Sequence, residues 1–222
     1  MFDIRPQPEP LPQSLLDRAV LAEPATIGHF RLRGFPAPVI RPIVPVGRVA
    51  GTAVTLCLPA ADSTLLHHAA GLVGPGQILV IDRLGDRHHA CLGGGVALCL
   101  ARAGIAGVIV DGPCADPHEI RACGLPVWAS GISSITTRVQ GIGGAMNVPV
   151  SVAGAVVMPG DLVIADEGGV VVLPPDEAEA DIERAIEMQS VEREMLPGVS
   201  QARPLGTISG ATKLVVAKLF VR

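Results

Sequence analysis

The chain has 222 residues, 49% of them hydrophobic, 17% charged and only 2% aromatic. That balance excludes a disordered or nucleic-acid-coating chain and gives one medium-sized domain a core of Val, Leu, Ile and Ala. A net charge of −4 argues against a broad nucleic-acid surface.

Residues 1–13 are Pro-rich and read as an extended arm. Ser14 to Ala22 predicts a short helix with Ser14 as N-cap and Asp17 at the third position, and residues 24–38 are loop-like. Ile43–Val46 and Val49–Leu58 read as strands. Asp62 to Leu72 predicts a helix capped by Asp62, and Gly74-Pro75-Gly76 is a turn. Gln77–Asp82 is a buried strand, followed by an irregular loop from Arg83 to about Leu92. Gly93-Gly94-Gly95 leads into a helix over Val96–Ala103, which Gly104 ends.

The most informative stretch is Ile105 to Asp116. Val108–Val110 is a β-branched run suited to a strand covered on both faces. Asp111-Gly112-Pro113 carries strong turn chemistry that breaks it. Asp116 then precedes a helix over 116–123 and a short strand over 126–129. From 148 onward the chain is β-rich: Val150–Met158, a turn at Pro159-Gly160, Leu162–Ala165 and Val170–Leu173. Pro174-Pro175 opens a long acidic amphipathic helix, about Asp176–Glu194. Strand–helix–strand order implies parallel pairs with right-handed crossovers, and the later strands add a second layer. The expected fold class is α/β, a β/β/α sandwich in a single domain over 1–222, with arm and helix at 1–38, core at 40–195 and tail at 196–222.

Charge is unevenly placed. Residues 1–194 carry 13 basic and 21 acidic side chains, whereas residues 195–222 carry Arg203, Lys213, Lys218 and Arg222 with no acid. The tail reads as solvated or docked on a subunit, or as an arm for an acidic protein partner. Five cysteines (57, 91, 99, 114 and 123) form no Cys-x-x-Cys pair, which fits a reducing cytoplasm better than a disulfide framework. No leader pattern opens the chain, and no apolar run is long enough to enter a membrane as a span. So aliphatic a core predicts packing across subunit contacts, hence an oligomer.

Several residues are candidates for chemistry. Asp116 is either a metal ligand or the cap of the helix it precedes, with Pro117 at the first helical position. Asp111 ties down its turn. Gly93–Gly95 either permit tight packing or expose backbone N–H groups to an anion. They form no dinucleotide motif, because Leu98 stands where the final glycine belongs, so a cofactor-dependent methyltransferase reading finds no support. His67-His68 and His88-His89 lack zinc-site spacing. Cys114 reads as a small buried residue rather than a reactive thiol.

In its order of motifs the chain resembles the 4-hydroxy-4-methyl-2-oxoglutarate aldolase and regulator-of-ribonuclease-activity A family. The motifs are Gly51-Thr52-Ala53-Val54-Thr55, Pro75-Gly76 through Asp82, Asp111-Gly112 with Asp116, Pro159-Gly160-Asp161 and Asp166 through Pro174. The resemblance covers roughly residues 40–195 and implies a swivelling-domain-like β/β/α fold assembled as homotrimers or hexamers. It implies a lyase of the aldolase or oxaloacetate decarboxylase type, in which a divalent metal, Mg or Mn, sits on the Asp of an Arg-Asp pair and binds a small keto acid. The Arg holds the substrate, a Gly-rich helix start binds its carboxylate, and an acid 22 residues before the metal Asp serves proton transfer.

Carried over, the metal position is Asp116. The Arg position is Ala115, the acid position is Gly94, and the helix start is Gly93, Gly94, Gly95 and Val96. Two of three functional side chains are therefore absent. Arg83, Arg87, His88, His89, His118 and Arg121 are possible substitutes, Arg87 and His88 foremost. A neighbouring subunit's acid corresponds to Glu192 or Glu194. The losses imply altered or weak activity, and the alternative is a non-catalytic regulatory binding protein like the ribonuclease regulators of the same family.

Overall fold

The computed structural model describes residues 1–45, 47–200 and 203–219. In chain order the elements are β1 (Phe2–Ile4), α1 (Gln13–Ala19), α2 (Pro24–Ile27), β2 (Arg41–Pro42), β3 (Val49–Cys57), α3 (Thr64–Ala69), β4 (Gln77–Asp82), α4 (Gly94–Arg102), β5 (Gly107–Cys114), α5 (Pro117–Cys123) and β6 (Val127–Ile132). There follow β7 (Gly144–Met146), β8 (Val150–Val152), β9 (Ala155–Val157), β10 (Leu162–Asp166), β11 (Gly169–Leu173), α6 (Pro175–Ser200), α7 (Leu205–Ile208) and α8 (Ala211–Val216).

The mixed α/β fold is organised on β3, β4, β5 and β6, which pair side by side in parallel with α3, α4 and α5 as the crossovers. Their near-continuous apolar runs follow from burial on both faces. Val54 and Leu56 of β3, Leu79 and Ile81 of β4, and Val108 and Val110 of β5 face one core, which Leu65, Leu66, Leu100 and Ile120 of the three helices complete. The alternate residues Ala53, Ile78, Val80, Ile109 and Trp128 face a second core with Val150, Val152, Val163 and Val172 of the later strands. The period of two along each strand sorts the side chains between these layers.

The hairpin β10–β11 is antiparallel and joins the start of β3, while β7 pairs antiparallel with its end. The outer face of that hairpin packs Ile164, Val171 and Leu173 on Leu16, Ile27, Ala178 and Ile182 of α1, α2 and α6. The layers thus run helices, sheet, second strand layer, helices, with the β/β/α order expected. The N-terminal arm is pinned at its start, where β1 pairs with β7.

Several local expectations are corrected. The first helix starts at Gln13 with Pro12, not Ser14, at the N-cap, and ends at Ala19. The carbonyl of Pro12 accepts the amides of Leu15 and Leu16, so the backbone closes this end without a side-chain cap. A short helix interrupts the 24–38 loop. The strand expected at 43–46 is displaced to Arg41–Pro42, and Val46 lies outside the described residues.

The segment 150–158 is a hairpin, not one strand. Ala153 (φ +44°) and Gly154 (φ +89°) make the left-handed pair that a two-residue turn requires. Asp111-Gly112-Pro113 does not end the signature strand: β5 continues to Cys114, and a register shift against β6 between Val110 and Pro113 absorbs the turn residues. The acidic helix runs on to Ser200. In the tail, Leu205, Leu214, Val215, Val216 and Leu219 are exposed, and Arg222 lies outside the described residues. Among the described residues, no helix is long and apolar enough to cross a membrane.

Candidate functional site

Parallel α/β sheets build sites at the carboxyl ends of their strands, where loops leave backbone groups unpaired. Here the chain after β4 returns through Ala115 N to Leu92 O (2.8 Å) and a bridge between Leu92 and Cys114. That contact sets Gly93, at the N-cap of α4, directly against Asp116, which follows β5. The Asp116 backbone is left-handed (φ +53°, ψ +53°), a conformation that Asp tolerates better than most residues. Its carboxylate makes no cap on its own helix. Instead Oδ2 accepts the amide of Gly94 at 2.9 Å and caps α4. The other oxygen has no partner among the described residues. The capping reading is therefore corrected, since the carboxylate holds the start of α4 and not that of the helix it precedes.

Asp116, Gly93, Gly94, Gly95, Val96 and Cys99 line one cavity of about 280 Å³ together with His67 and Ala70 of α3. Gly93 and Gly94 are demanded by proximity, whereas a Cβ on Gly95 would meet open space. A Cβ on Gly93 would lie 2.8 Å from Asp116 Oδ2, and one on Gly94 would lie 2.6 Å from Glu119 Cβ. The Gly93 backbone itself is extended and open to any residue. The space an acid at 94 would use is taken by the side chain of Glu119, one turn into α5.

Asp116 is a single carboxylate, and no group of three His, Cys, Asp or Glu side chains among the described residues could cage a metal. Such a site suits a hard, hydrated cation such as Mg²⁺, which is held through one or two carboxylates and keeps its waters. It does not suit zinc, which takes three or four protein ligands.

The proposed substitutes for the missing Arg are engaged elsewhere. Arg87 pairs with Asp111 Oδ1, and Asp111 Oδ2 accepts the amide of Ala153 at 3.0 Å, which fastens the β8–β9 hairpin to β5. Arg83 is fully buried and donates to Ala60 O (2.6 Å) and Asp86 Oδ2 (3.1 Å). Its Nε and Nη1 have no partner among the described residues. Gly112 makes room for it, since a Cβ there would lie 2.8 Å from Arg83 Cγ.

The Asp86 carboxylate also accepts the amides of His88 and His89 and meets His89 Nδ1 at 2.8 Å. Burial alone would raise this carboxyl, but these bonds outweigh it and hold its pKa down at about 2. His88 is exposed, and neither it, His118 nor Arg121 lines the cavity. Ala115 is buried beside Asp116 and does not line it either. Burial pushes the Cys114 thiol up to about 12, which leaves it protonated and unreactive.

Sequence reasoning missed two residues. His67 reads as a surface histidine, and only the packing of α3 beside α4 brings it to the cavity. Glu119 carries no motif, and its i+3 spacing from Asp116 is the single signal that it returns to the same helix start. α3 itself is firmly placed. Buried Asp62 accepts bonds from Thr64 N and Oγ1 (2.9 and 2.6 Å), Gln140 N (3.0 Å) and Ile142 N (2.7 Å). Burial would raise its pKa, but these four bonds hold it well below the usual carboxylate range. A larger cavity of about 700 Å³, bounded by Pro24, Phe35, Pro36 and Pro38, offers Arg41 and Glu167 as its only charged side chains. It gathers no comparable set of functional groups.

A family model described as "RraA-like: Aldolase/RraA" matches residues 17–172. A protein of Halalkalibacterium halodurans named "Putative 4-hydroxy-4-methyl-2-oxoglutarate aldolase" is 32% identical over 151 residues, 68% of this chain and 71% of the relative. The solved structure of Streptomyces coelicolor RraAS2, described as an unusual member of the RNase ES inhibitor RraA family, is 27% identical. It superposes with a TM-score of 0.72 over 88% of this chain and 99% of that one. The RNA-processing inhibitor RraA from Thermus thermophilis is 32% identical, with a TM-score of 0.58 over 62% of this chain and 82% of that one.

Proposed function

The chain belongs to the RraA-like (Aldolase/RraA) family, and from that premise we propose that it is a divalent-metal-dependent carbon–carbon lyase acting on a small keto acid. The supporting observation is the Asp116 carboxylate at the cavity lining, with Oδ2 on Gly94 N and no partner for Oδ1 among the described residues. In this reading Asp116 holds Mg²⁺ or Mn²⁺ through the free oxygen. The cation supplies Lewis-acid stabilisation of negative charge developing on the substrate's keto oxygen.

The chain's own groups do the rest. The amides at the start of α4 receive the substrate carboxylate, helped by the helix dipole. Gly93, Gly94 and Gly95 keep the approach clear of side chains. Glu119, whose side chain passes beside Gly94, is placed to exchange a proton through solvent in the part that an acid at 94 would play. A general acid–base group contributes about 10²–10⁴ in rate, so its position matters as much as the metal's.

The test is pyruvate release from oxaloacetate and from 4-hydroxy-4-methyl-2-oxoglutarate with Mg²⁺ or Mn²⁺, corrected for metal-only decarboxylation. Chelator-sensitive turnover that Asp116→Ala abolishes is the expected result. No turnover above the metal blank on either substrate would reject the lyase reading.

A second reading, a regulatory binding protein, is favoured by the exposed apolar side chains of α7 and α8 beside Lys213 and Lys218, an unusual surface for a segment with no partner. In that reading the tail meets an acidic protein, and the fold works as a homotrimer or hexamer. Retention of a specific cytoplasmic protein by the full chain, and its loss on removing residues 201–222, would support it.

A further inference from the structure

We propose that His67 is the cation that receives the substrate's carboxylate in the Asp116 cavity, in the part that Ala115 cannot play. The proposal rests on the lyase reading above. The cavity is a groove between the outer face of α3 and the first turns of α4. His67 and Ala70, one turn apart on α3, stand across from Gly95, Val96 and Cys99 on α4. Among the lining side chains, only His67 can carry a positive charge and only Asp116 is a carboxylate.

Among the described residues, no other cation lines this cavity. Arg87 is held by Asp111, Arg83 by Asp86 and Ala60, and His89 by Asp86. The ring of His67, by contrast, makes no hydrogen bond or ion pair among the described residues, so its nitrogens are available to a ligand.

The position is also preorganised. Leu65, Leu66 and Ala69 bury the inner face of α3, which leaves His67 on the outer face. The four bonds to Asp62 fix the helix start against residues 140–142. The backbone that carries the ring is therefore fixed beside the cavity. A keto acid carries its negative charge at one end and chelates through its keto oxygen. A protonated imidazole beside the α4 amides gives that end a charge-assisted partner. Ligation of the metal itself is the poorer role for His67, because a hard cation takes oxygen donors.

The probe is oxalate, a planar dianion with the shape of a chelating keto acid. Its binding to the Mn²⁺-loaded protein is measured by calorimetry, and Mn²⁺ binding is measured separately by electron paramagnetic resonance. The comparison covers the parent, His67→Ala, His67→Asn, His67→Arg and Asp116→Ala, each first checked by its melting transition to be fully folded at the temperature of the binding measurement. We expect His67→Ala and His67→Asn to weaken oxalate about 10–100-fold, the loss of one charge-assisted bond. Mn²⁺ affinity should be unchanged in both, and His67→Arg should recover most of the oxalate affinity.

Oxalate binding to His67→Ala equal to the parent's would overturn the proposal, and if Asp116→Ala still lost Mn²⁺ the lyase reading would stand without it. A parent chain that bound neither Mn²⁺ nor oxalate would overturn both.

Discussion

Asp116 caps α4 in this structure and, in the proposed reading, holds a cation, and a pair of substitutions separates the two roles. As the cap of α4 it accepts the Gly94 amide at 2.9 Å; losing such a cap costs about 1 kcal/mol. Its backbone is left-handed, which costs an Ala roughly 1 kcal/mol more than an Asp or Asn. Asp116→Ala should therefore lose about 2 kcal/mol. Asp116→Asn keeps a side-chain acceptor and a tolerated backbone. It gives up only the charge near the helix start, about 0.5 kcal/mol at an exposed position.

The metal role divides the same variants differently. A cation at 100 times its Kd stabilises the folded chain by about 2.7 kcal/mol, and both variants should forfeit that. The assay is urea unfolding with EDTA and then with saturating Mg²⁺. The parent midpoint should rise with Mg²⁺, and neither variant's should. In EDTA, Asp116→Asn should stay near the parent while Asp116→Ala falls. Full Mg²⁺ stabilisation of Asp116→Asn would remove the cation from this carboxylate, and an Asp116→Ala chain as stable as the parent in EDTA would refute the capping geometry.

Three other outcomes follow from the packing. Gly94→Asp should cost about 1–3 kcal/mol through overlap with Glu119 and regain it when combined with Glu119→Ala; a single variant as stable as the parent in thermal unfolding would show that the overlap does not exist. Asp62→Ala strands buried donors and should cost about 3 kcal/mol. Because the Asp62 pKa is depressed on folding, its stabilisation is complete above the unfolded value of about 3.9 and is lost as pH falls toward the folded value. Asp62→Asn should thus flatten the acid limb of stability against pH, and an unchanged limb would contradict the four-bond cluster. Arg87→Ala should cost about 1 kcal/mol and leave Mn²⁺ affinity untouched, because half-exposed Arg87 serves Asp111 and not the cavity; a fall in Mn²⁺ affinity would place Arg87 at the metal.

The central fold was legible because β3, β4 and β5 are apolar on both faces, and only a doubly covered parallel sheet makes such runs stable. What escaped the sequence was set by pairs of distant residues. Ala153-Gly154 turns a hairpin inside a run that reads as one strand, since Val150 to Met158 is apolar apart from Ser151 and Gly154. Asp111-Gly112-Pro113 carries turn chemistry yet remains in β5, because Gly112 is there to admit Arg83 and Asp111 to hold Arg87 and Ala153. Turn residues report a local preference, and in this strand tertiary demands override it.

At the site, sequence comparison alone describes subtraction: an Arg replaced by Ala115 and an acid replaced by Gly94. The geometry changes what that subtraction means. Gly94 is bare because the Glu119 side chain stands where its Cβ would be, so an acidic residue of α5 passes the same helix start. His67 brings a chargeable ring to the cavity from α3. Both residues come from crossover helices of the same sheet, α5 and α3, and in the proposed reading they supply the lost groups while Asp116 keeps its place. A site of this kind can keep its charge pattern while its motif changes, and the motif's absence predicts altered substrate choice more readily than loss of binding. The discriminating quantity is oxalate affinity relative to Mn²⁺ affinity. A site that had lost its anion-holding function would keep the second without the first, and a rebuilt one would lose the first only when His67 is removed.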